Sequence, residues 1–158
     1  MKSLFGALLW SLFLLLALAL YHREEKRRLA EYRGLCRLIE HVRSALASLP
    51  EPLPAVYGRF SDDALCRSGF LSLLKKEGLS FALAAKALHL DDDELLPFKE
   101  YAEGLGARLF AEEKRATEQL LADVTAILHQ KEEALPRKKR LTGTLFFTGG
   151  MLILLLLV

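Results

Sequence analysis

The chain has few of the residues that carry catalytic, metal or redox chemistry. Its two cysteines, Cys36 and Cys66, lack CxxC spacing, and its four histidines lack the spacing of a metal-ligand set. The sequence contains no phosphate-binding glycine loop, no HExxH and no GxSxG. We interpret both cysteines as small buried apolar residues, with a disulfide as the alternative. These absences argue against an enzyme and predict no cofactor and no metal site.

Charged residues are missing from both ends of the chain. No Asp, Glu, Lys or Arg occurs in residues 3–21 or 141–158. A helix of 18 apolar residues, the length of the second segment, spans roughly 27 Å, close to the hydrocarbon thickness of a bilayer. We therefore expect transmembrane helices at residues 1–21 and 141–158. Buried helices of a soluble protein are the alternative for both segments, and a signal peptide cleaved near Ala19 is a further alternative for the first.

Basic residues cluster on the inner side of both apolar segments. The positive-inside rule places such flanks in the cytoplasm, so we expect a two-pass membrane protein whose domain at residues 22–140 is cytoplasmic. The same residues are candidates for contact with acidic lipid headgroups. Nucleic acid is not expected as a partner, because 20 acidic residues nearly balance 22 basic ones. The candidate membrane-flanking residues are Arg23, Lys26, Arg27, Arg28, Arg137, Lys138, Lys139 and Arg140.

Residues 22–140 carry the periodicity of an all-α domain. Apolar residues recur at spacings of three and four, and no segment alternates with the period of a strand. We expect six soluble helices in an antiparallel bundle whose first and last helices lie side by side, because both return to the membrane. The first should leave the membrane unbroken, whereas Pro136 should separate the last from the second span. The predicted helices are 22–49, 54–60, 61–78, 80–89, 91–103 and 107–135.

The end of the bundle far from the membrane is the predicted partner-binding surface. Residues 91–108 join two helices, and Asp91 with Glu94 fits a capping box that opens the first of them. Aromatic residues and arginine dominate the hot spots of protein interfaces. The alternative is that Phe98 and Tyr101 fill the bundle core. The candidate partner-binding residues are Phe98, Glu100, Tyr101, Leu105 and Arg108.

Several short stretches along nearly the whole chain resemble one protein family. They are the apolar N-terminal segment, Pro52-Leu53-Pro54-Ala55, Leu105-Gly106 before a long last helix, and Arg140-Leu141-Thr142-Gly143 followed by Gly149-Gly150. With these residues the chain resembles the stage III sporulation protein AB family, which is similar to part of general secretory pathway protein F. It departs from the family pattern at Tyr101-Ala102, Leu109 and Glu113, where the family has Phe-Gly, Asp and Gln.

The resemblance implies a non-catalytic membrane component of a type II/III secretion-like channel complex between mother cell and forespore during endospore formation. Such a protein would lie in the mother-cell membrane around the forespore, as a scaffold and docking site for a secretion-type ATPase. Other membrane proteins of the channel complex are further implied partners, and a homo-oligomer is an open alternative. The competing functions are a holin-like pore former, another membrane-anchored helical adaptor, and a tethered enzyme with an unrecognised site.

Overall fold

The computed structural model describes residues 2–48, 52–76, 80–105 and 109–157, and for 2–5, 7–8, 48 and 152–157 the backbone alone. Every regular element in the described residues is an α-helix, which confirms the all-α expectation. Residues 49 and 78, where the first and third predicted helices end, lie outside the described residues, whereas the helix predicted over 91–103 ends at Gly104. The helices are α1 (Lys2–Ser48), α2 (Leu53–Arg59), α3 (Asp63–Ser68), α4 (Phe70–Leu74), α5 (Phe81–Ala85), α6 (Asp92–Gly104) and α7 (Phe110–Leu157).

The chain divides into two compact units. The terminal unit comprises Met1–Lys26 and Gln130–Val158, and the central unit comprises Arg27–His129. Among the residues whose side chains are described, no helix combines the length and the apolar character needed to cross a membrane. Both predicted spans extend into chain ends whose side chains lie outside that description.

The central unit has an apolar core built on α1 and α7. Tyr32 and Leu35 are buried on α1, and Val124 is buried on α7. The thiol of Cys36 lies 3.9 Å from the carbonyl oxygen of Val124, so the two helices touch, as predicted for the first and last soluble helices. Neither cysteine forms a disulfide, and Cys66 is exposed, so the prediction of a buried side chain is right for Cys36 alone.

Gly69 splits the helix that the sequence predicts over residues 61–78 into α3 and α4. Its φ of +85° lies in the left-handed region, which glycine adopts without the steric cost of a Cβ. The turn allows Leu65 before it and Phe70 after it to be buried in the same core. Phe70 packs edge-to-face against Phe81 of α5, with ring centroids 5.4 Å apart. The prediction of one continuous helix is therefore wrong.

In the terminal unit, the first part of α1 and the last part of α7 run antiparallel. Lys138 Nζ lies 3.9 Å from Glu25 Oε2, and Gly150 lies against Leu14, where an added Cβ would come within 2.6 Å of Leu14 Cδ1. Pro136 lies inside α7, so the predicted break there is wrong, whereas α1 is unbroken as predicted. Pro136 is exposed and removes only a local backbone hydrogen bond, while the less exposed positions of α7 recur on either side of it at spacings of three and four.

Within the central unit, α3 approaches α1 closely at Gly34. Asp62 caps α3, because its Oδ1 accepts hydrogen bonds from the backbone N–H of Ala64 at 3.0 Å and of Leu65 at 3.2 Å. Its Oδ2 lies 3.3 Å from Arg37 Nη1 on α1. A Cβ on Gly34 would lie 2.8 Å from both Asp62 Oδ1 and Leu65 Cγ. The cap of α3 and its buried leucine thus rest on bare backbone of α1.

We expect Gly34→Ala to lower the free energy of unfolding by about 1–3 kcal/mol, because the new methyl group would overlap Asp62 and Leu65. Gly58→Ala is the matched control, since nothing lies within 4 Å of a Cβ at Gly58. Alanine is favoured over glycine inside a helix, so the control should be neutral or stabilising by up to about 1 kcal/mol. Urea unfolding followed by circular dichroism measures both, and equal stabilities would contradict the close approach at Gly34.

Candidate functional site

A buried carboxylate on α1 holds the segment that precedes α6. Glu31 is only 1% exposed, and its Oε2 accepts a hydrogen bond of 2.7 Å from the backbone N–H of His89. Its Oε1 lies 3.0 Å from His89 Nδ1 and 3.3 Å from Arg27 Nε, so the buried charge is compensated. The burial of Glu31 could be predicted from its position in the sequence, because it occurs four and seven residues before Leu35 and Leu38, on the buried face of the helix.

A second set of charges joins α1 to the N-terminus of α6. Arg28 forms ion pairs with Asp91 and, at 3.0 Å, with Glu94. The hydrogen bond to Asp91 is the largest influence on Arg28 and, with Glu94, raises its pKa above the ordinary value. Glu94 Oε2 also accepts a 3.1 Å hydrogen bond from the backbone N–H of Asp91, which is one half of the predicted capping box. The acidic residues here thus act in helix capping and pairing.

A cleft of about 290 Å³ opens beside α2, α5 and α6 in the central unit. Burial raises the pKa of Tyr57 in its wall to about 12, so the hydroxyl stays protonated at neutral pH. Sequence reasoning missed this cleft because its residues come from separate helices. The apolar part of its lining includes Leu53, Tyr57, Phe81 and Leu105. We call it the lysine-rimmed cleft after Lys75, Lys76 and Lys99, which also line it.

Two of the candidate partner-binding residues lie in the core of the central unit. Phe98 is 1% exposed and packs edge-to-face against Tyr32, with ring centroids 5.5 Å apart. Tyr101 is 6% exposed, and its hydroxyl lies 2.7 Å from Thr117 Oγ1. The predicted alternative, in which both aromatic side chains fill the bundle core, is the one observed. Neither ring is available as an exposed hot spot.

The remaining candidate partner-binding residues are not buried in that core: two are described and one is not. Glu100 is exposed on α6, and Leu105 is half-buried in the wall of the lysine-rimmed cleft. Arg108 lies outside the described residues. The part of the predicted region that is open to a partner is therefore the cleft side of α6 and its exposed face.

The candidate membrane-flanking residues divide between the two units. Arg27 and Arg28 belong to the central unit and are used in the ion pairs with Glu31, Asp91 and Glu94. Lys139 is half-buried in the terminal unit. Among the basic residues of the terminal unit whose side chains are described, the exposed ones are Arg23, Lys26, Arg137, Lys138 and Arg140. These five are the ones placed to meet acidic headgroups or another anionic surface.

Large apolar side chains are exposed on both helices of the terminal unit. Apolar surface of such extent marks a site that contacts protein, ligand or membrane. The threonine hydroxyls on the same part of α7 bond to its own backbone: Thr144 Oγ1 donates to Arg140 O at 2.9 Å, and Thr148 Oγ1 to Thr144 O at 2.8 Å. The exposed apolar residues are Leu9, Leu12, Phe13, Leu15, Leu16 and Leu20 on α1, and Leu141, Leu145, Phe147 and Met151 on α7.

No protein-family model, curated protein or solved structure matches this chain. The resemblance to the sporulation family therefore stays a prediction from the sequence. Two surfaces of the chain are the candidate functional sites: the apolar face of the terminal unit and the lysine-rimmed cleft of the central unit.

Replacing Glu31 by alanine should lower the free energy of unfolding by about 3 kcal/mol, because the backbone N–H of His89 loses its acceptor and Arg27 loses its partner. Glu31→Gln keeps an acceptor oxygen and should lose less. Glu40→Ala, at an exposed position of the same helix, is the control and should change stability by no more than about 0.5 kcal/mol. Urea unfolding ranks the three, and a Glu31→Ala variant as stable as Glu40→Ala would contradict the structural role of the carboxylate.

Proposed function

We propose that this chain is a non-catalytic, membrane-anchored helical scaffold whose terminal unit lies in the membrane and whose central unit docks a partner in the cytoplasm. The finer assignment, taken from the resemblance, is a component of a secretion-like channel complex between mother cell and forespore that binds a secretion-type ATPase. The observation that carries the proposal is the apolar surface exposed on the antiparallel helix pair of the terminal unit.

The distribution of that surface around α1 favours lipid over a single protein partner. The less exposed positions Trp10, Leu14 and Leu18 recur at spacings of four, and Leu14 faces Gly150 of α7. The exposed apolar residues occupy the other sides of the helix, including Leu15 and Leu16 at adjacent positions. A helix that is apolar on nearly all sides requires an apolar environment around most of its circumference. Hydrocarbon supplies such an environment.

The threonine and histidine side chains of the terminal unit are compatible with a membrane, whereas the indole Nε1 of Trp10 is buried without a hydrogen-bond partner. In hydrocarbon an unsatisfied hydroxyl or backbone group is costly, because no water is present to bond it. Thr144 and Thr148 are exposed, yet their hydroxyls are satisfied by the preceding turn of α7. Nδ1 of His22 lies 2.7 Å from the carbonyl oxygen of Leu18, so this side chain also has a partner within its own helix. The exposed lysines and arginines lie together near residues 23–26 and 137–140, as expected for an aqueous boundary.

The central unit supplies the properties of a docking domain. Its core holds α1 against α7, and charged contacts hold α6 and the segment before it to α1, so these elements are fixed relative to one another by contacts within the unit. Elements that are already fixed lose little conformational entropy on binding. The acidic and histidine side chains discussed above are engaged in caps and ion pairs, which supports binding over catalysis as the role of this unit.

We expect the central unit to be cytoplasmic, because basic residues flank it on both sides. A fluorescent protein inserted after Ser61, an exposed loop residue, should be bright, and alkaline phosphatase inserted there should be inactive. The same reporters fused after Val158 are the matched control and should give the reverse pattern.

Two outcomes would contradict this proposal. Active phosphatase at the Ser61 site would reverse the orientation, and release of the chain from the membrane fraction by alkaline carbonate would show that it is not inserted. Dye leakage from cells that overproduce the chain would favour the holin-like alternative, because a scaffold has no reason to open the membrane.

A further inference from the structure

We propose that the lysine-rimmed cleft is the docking site for an acidic segment of a partner protein that inserts an apolar side chain between its carboxylates. The inference deepens the proposed function, on which it rests for the class of partner, and it moves the predicted docking surface from the buried aromatic rings of α6 to Lys99, Ala102 and Glu103 of the same helix, which line the cleft. It joins two observations, the size and lining of the cleft and the charge around it.

The size of the cleft selects a side chain over a whole small molecule. At about 290 Å³ it lies at the lower end of the range for small-molecule pockets. Tyr57, Phe81 and Leu105 pack against the core on one side and line the cleft on the other. An apolar side chain of a partner would cover this remaining surface, as an anchor residue does in a protein interface.

The charge of the cleft selects an acidic partner. Three lysines line it, and Glu103 is the one carboxylate among its described lining residues. The neutral hydroxyl of Tyr57 adds no negative charge at physiological pH. Complementary charge around an apolar anchor steers association and excludes partners of the wrong sign. A segment with glutamate or aspartate on both sides of a leucine or phenylalanine combines the two features.

Two of the lysines are held in place before a partner binds. Lys75 Nζ donates a 2.9 Å hydrogen bond to the carbonyl oxygen of Phe60, and Lys99 Nζ lies 2.7 Å from Asp92 Oδ1. An ammonium group has three N–H donors, so each keeps donors for an incoming carboxylate. Because these long side chains are already ordered, binding costs less rotamer entropy than it would at unrestrained lysines.

A fluorescent peptide with two leucines flanked on each side by two glutamates tests this proposal against the full-length chain in detergent. Fluorescence anisotropy should detect binding of this peptide. A peptide with lysines in place of the glutamates should bind much more weakly, and so should one with serines in place of the leucines. Failure of the first peptide to bind, or equal binding by the serine peptide, would overturn the proposal. The result is independent of the reporter fusions, so a failed docking site and a failed membrane anchor are distinguishable.

Variants of the chain locate the peptide. Lys76→Glu reverses an exposed charge of the cleft and should weaken binding about fivefold. Ala82→Phe fills the cleft and should weaken it about tenfold. Lys114→Glu makes the same charge change at an exposed position of α7 outside the cleft and should leave binding unchanged. Circular dichroism checks that each variant is folded. If Ala82→Phe proves to be unfolded, the result for Lys76→Glu is the one that tests the proposal. Equal effects of Lys76→Glu and Lys114→Glu would overturn the assignment to this cleft.

Discussion

The contact between α1 and α7 is the constraint on which both units depend. In the central unit it brings Cys36 against the backbone of Val124, and the short helices between them in sequence complete a common core. In the terminal unit Gly150 allows α7 to lie directly on Leu14 of α1. In each unit two helix segments that are distant in sequence thus lie in contact, and in the central unit the segments between them form short helices that cover the pair.

Charged side chains determine how those short helices attach to the frame. Arg28 and Glu31 lie about one turn apart on α1. Glu31 binds His89 just before α6, and Arg28 binds Glu94 in the first turn of α6. Asp62 performs the same task for α3, but there the helix approach also requires a glycine. Burying a carboxylate is costly unless its hydrogen bonds are satisfied, so each attachment is specific in geometry. The lysine-rimmed cleft lies between α6, which is held by such contacts, and α5, whose Phe81 packs against Phe70.

Local sequence signals predicted the helices well where a single residue type or pattern strongly favours one backbone conformation. The helix after Pro52, the start of α6 at Asp91 and the continuity of α1 were all read correctly from proline, capping and periodicity. Errors occurred at Gly69 and Pro136, whose local preferences are ambiguous, and in the predicted helix 80–89, whose observed counterpart α5 ends at Ala85. Glycine is tolerated inside helices until packing on both sides favours a turn, and an exposed proline need not end a helix whose packed face continues past it.

The sequence alone determined the all-helical class, the approximate helix positions and the concentration of apolar residues at the two ends, because these follow from periodicity and composition. Only the tertiary structure decided which polar and aromatic residues are buried. Phe98 and Tyr101 are interface residue types by composition but core residues by packing, and Glu31 is a charged residue that the fold buries. Burial depends on which helix faces meet, and that is set by contacts between residues far apart in the chain, which no local pattern encodes.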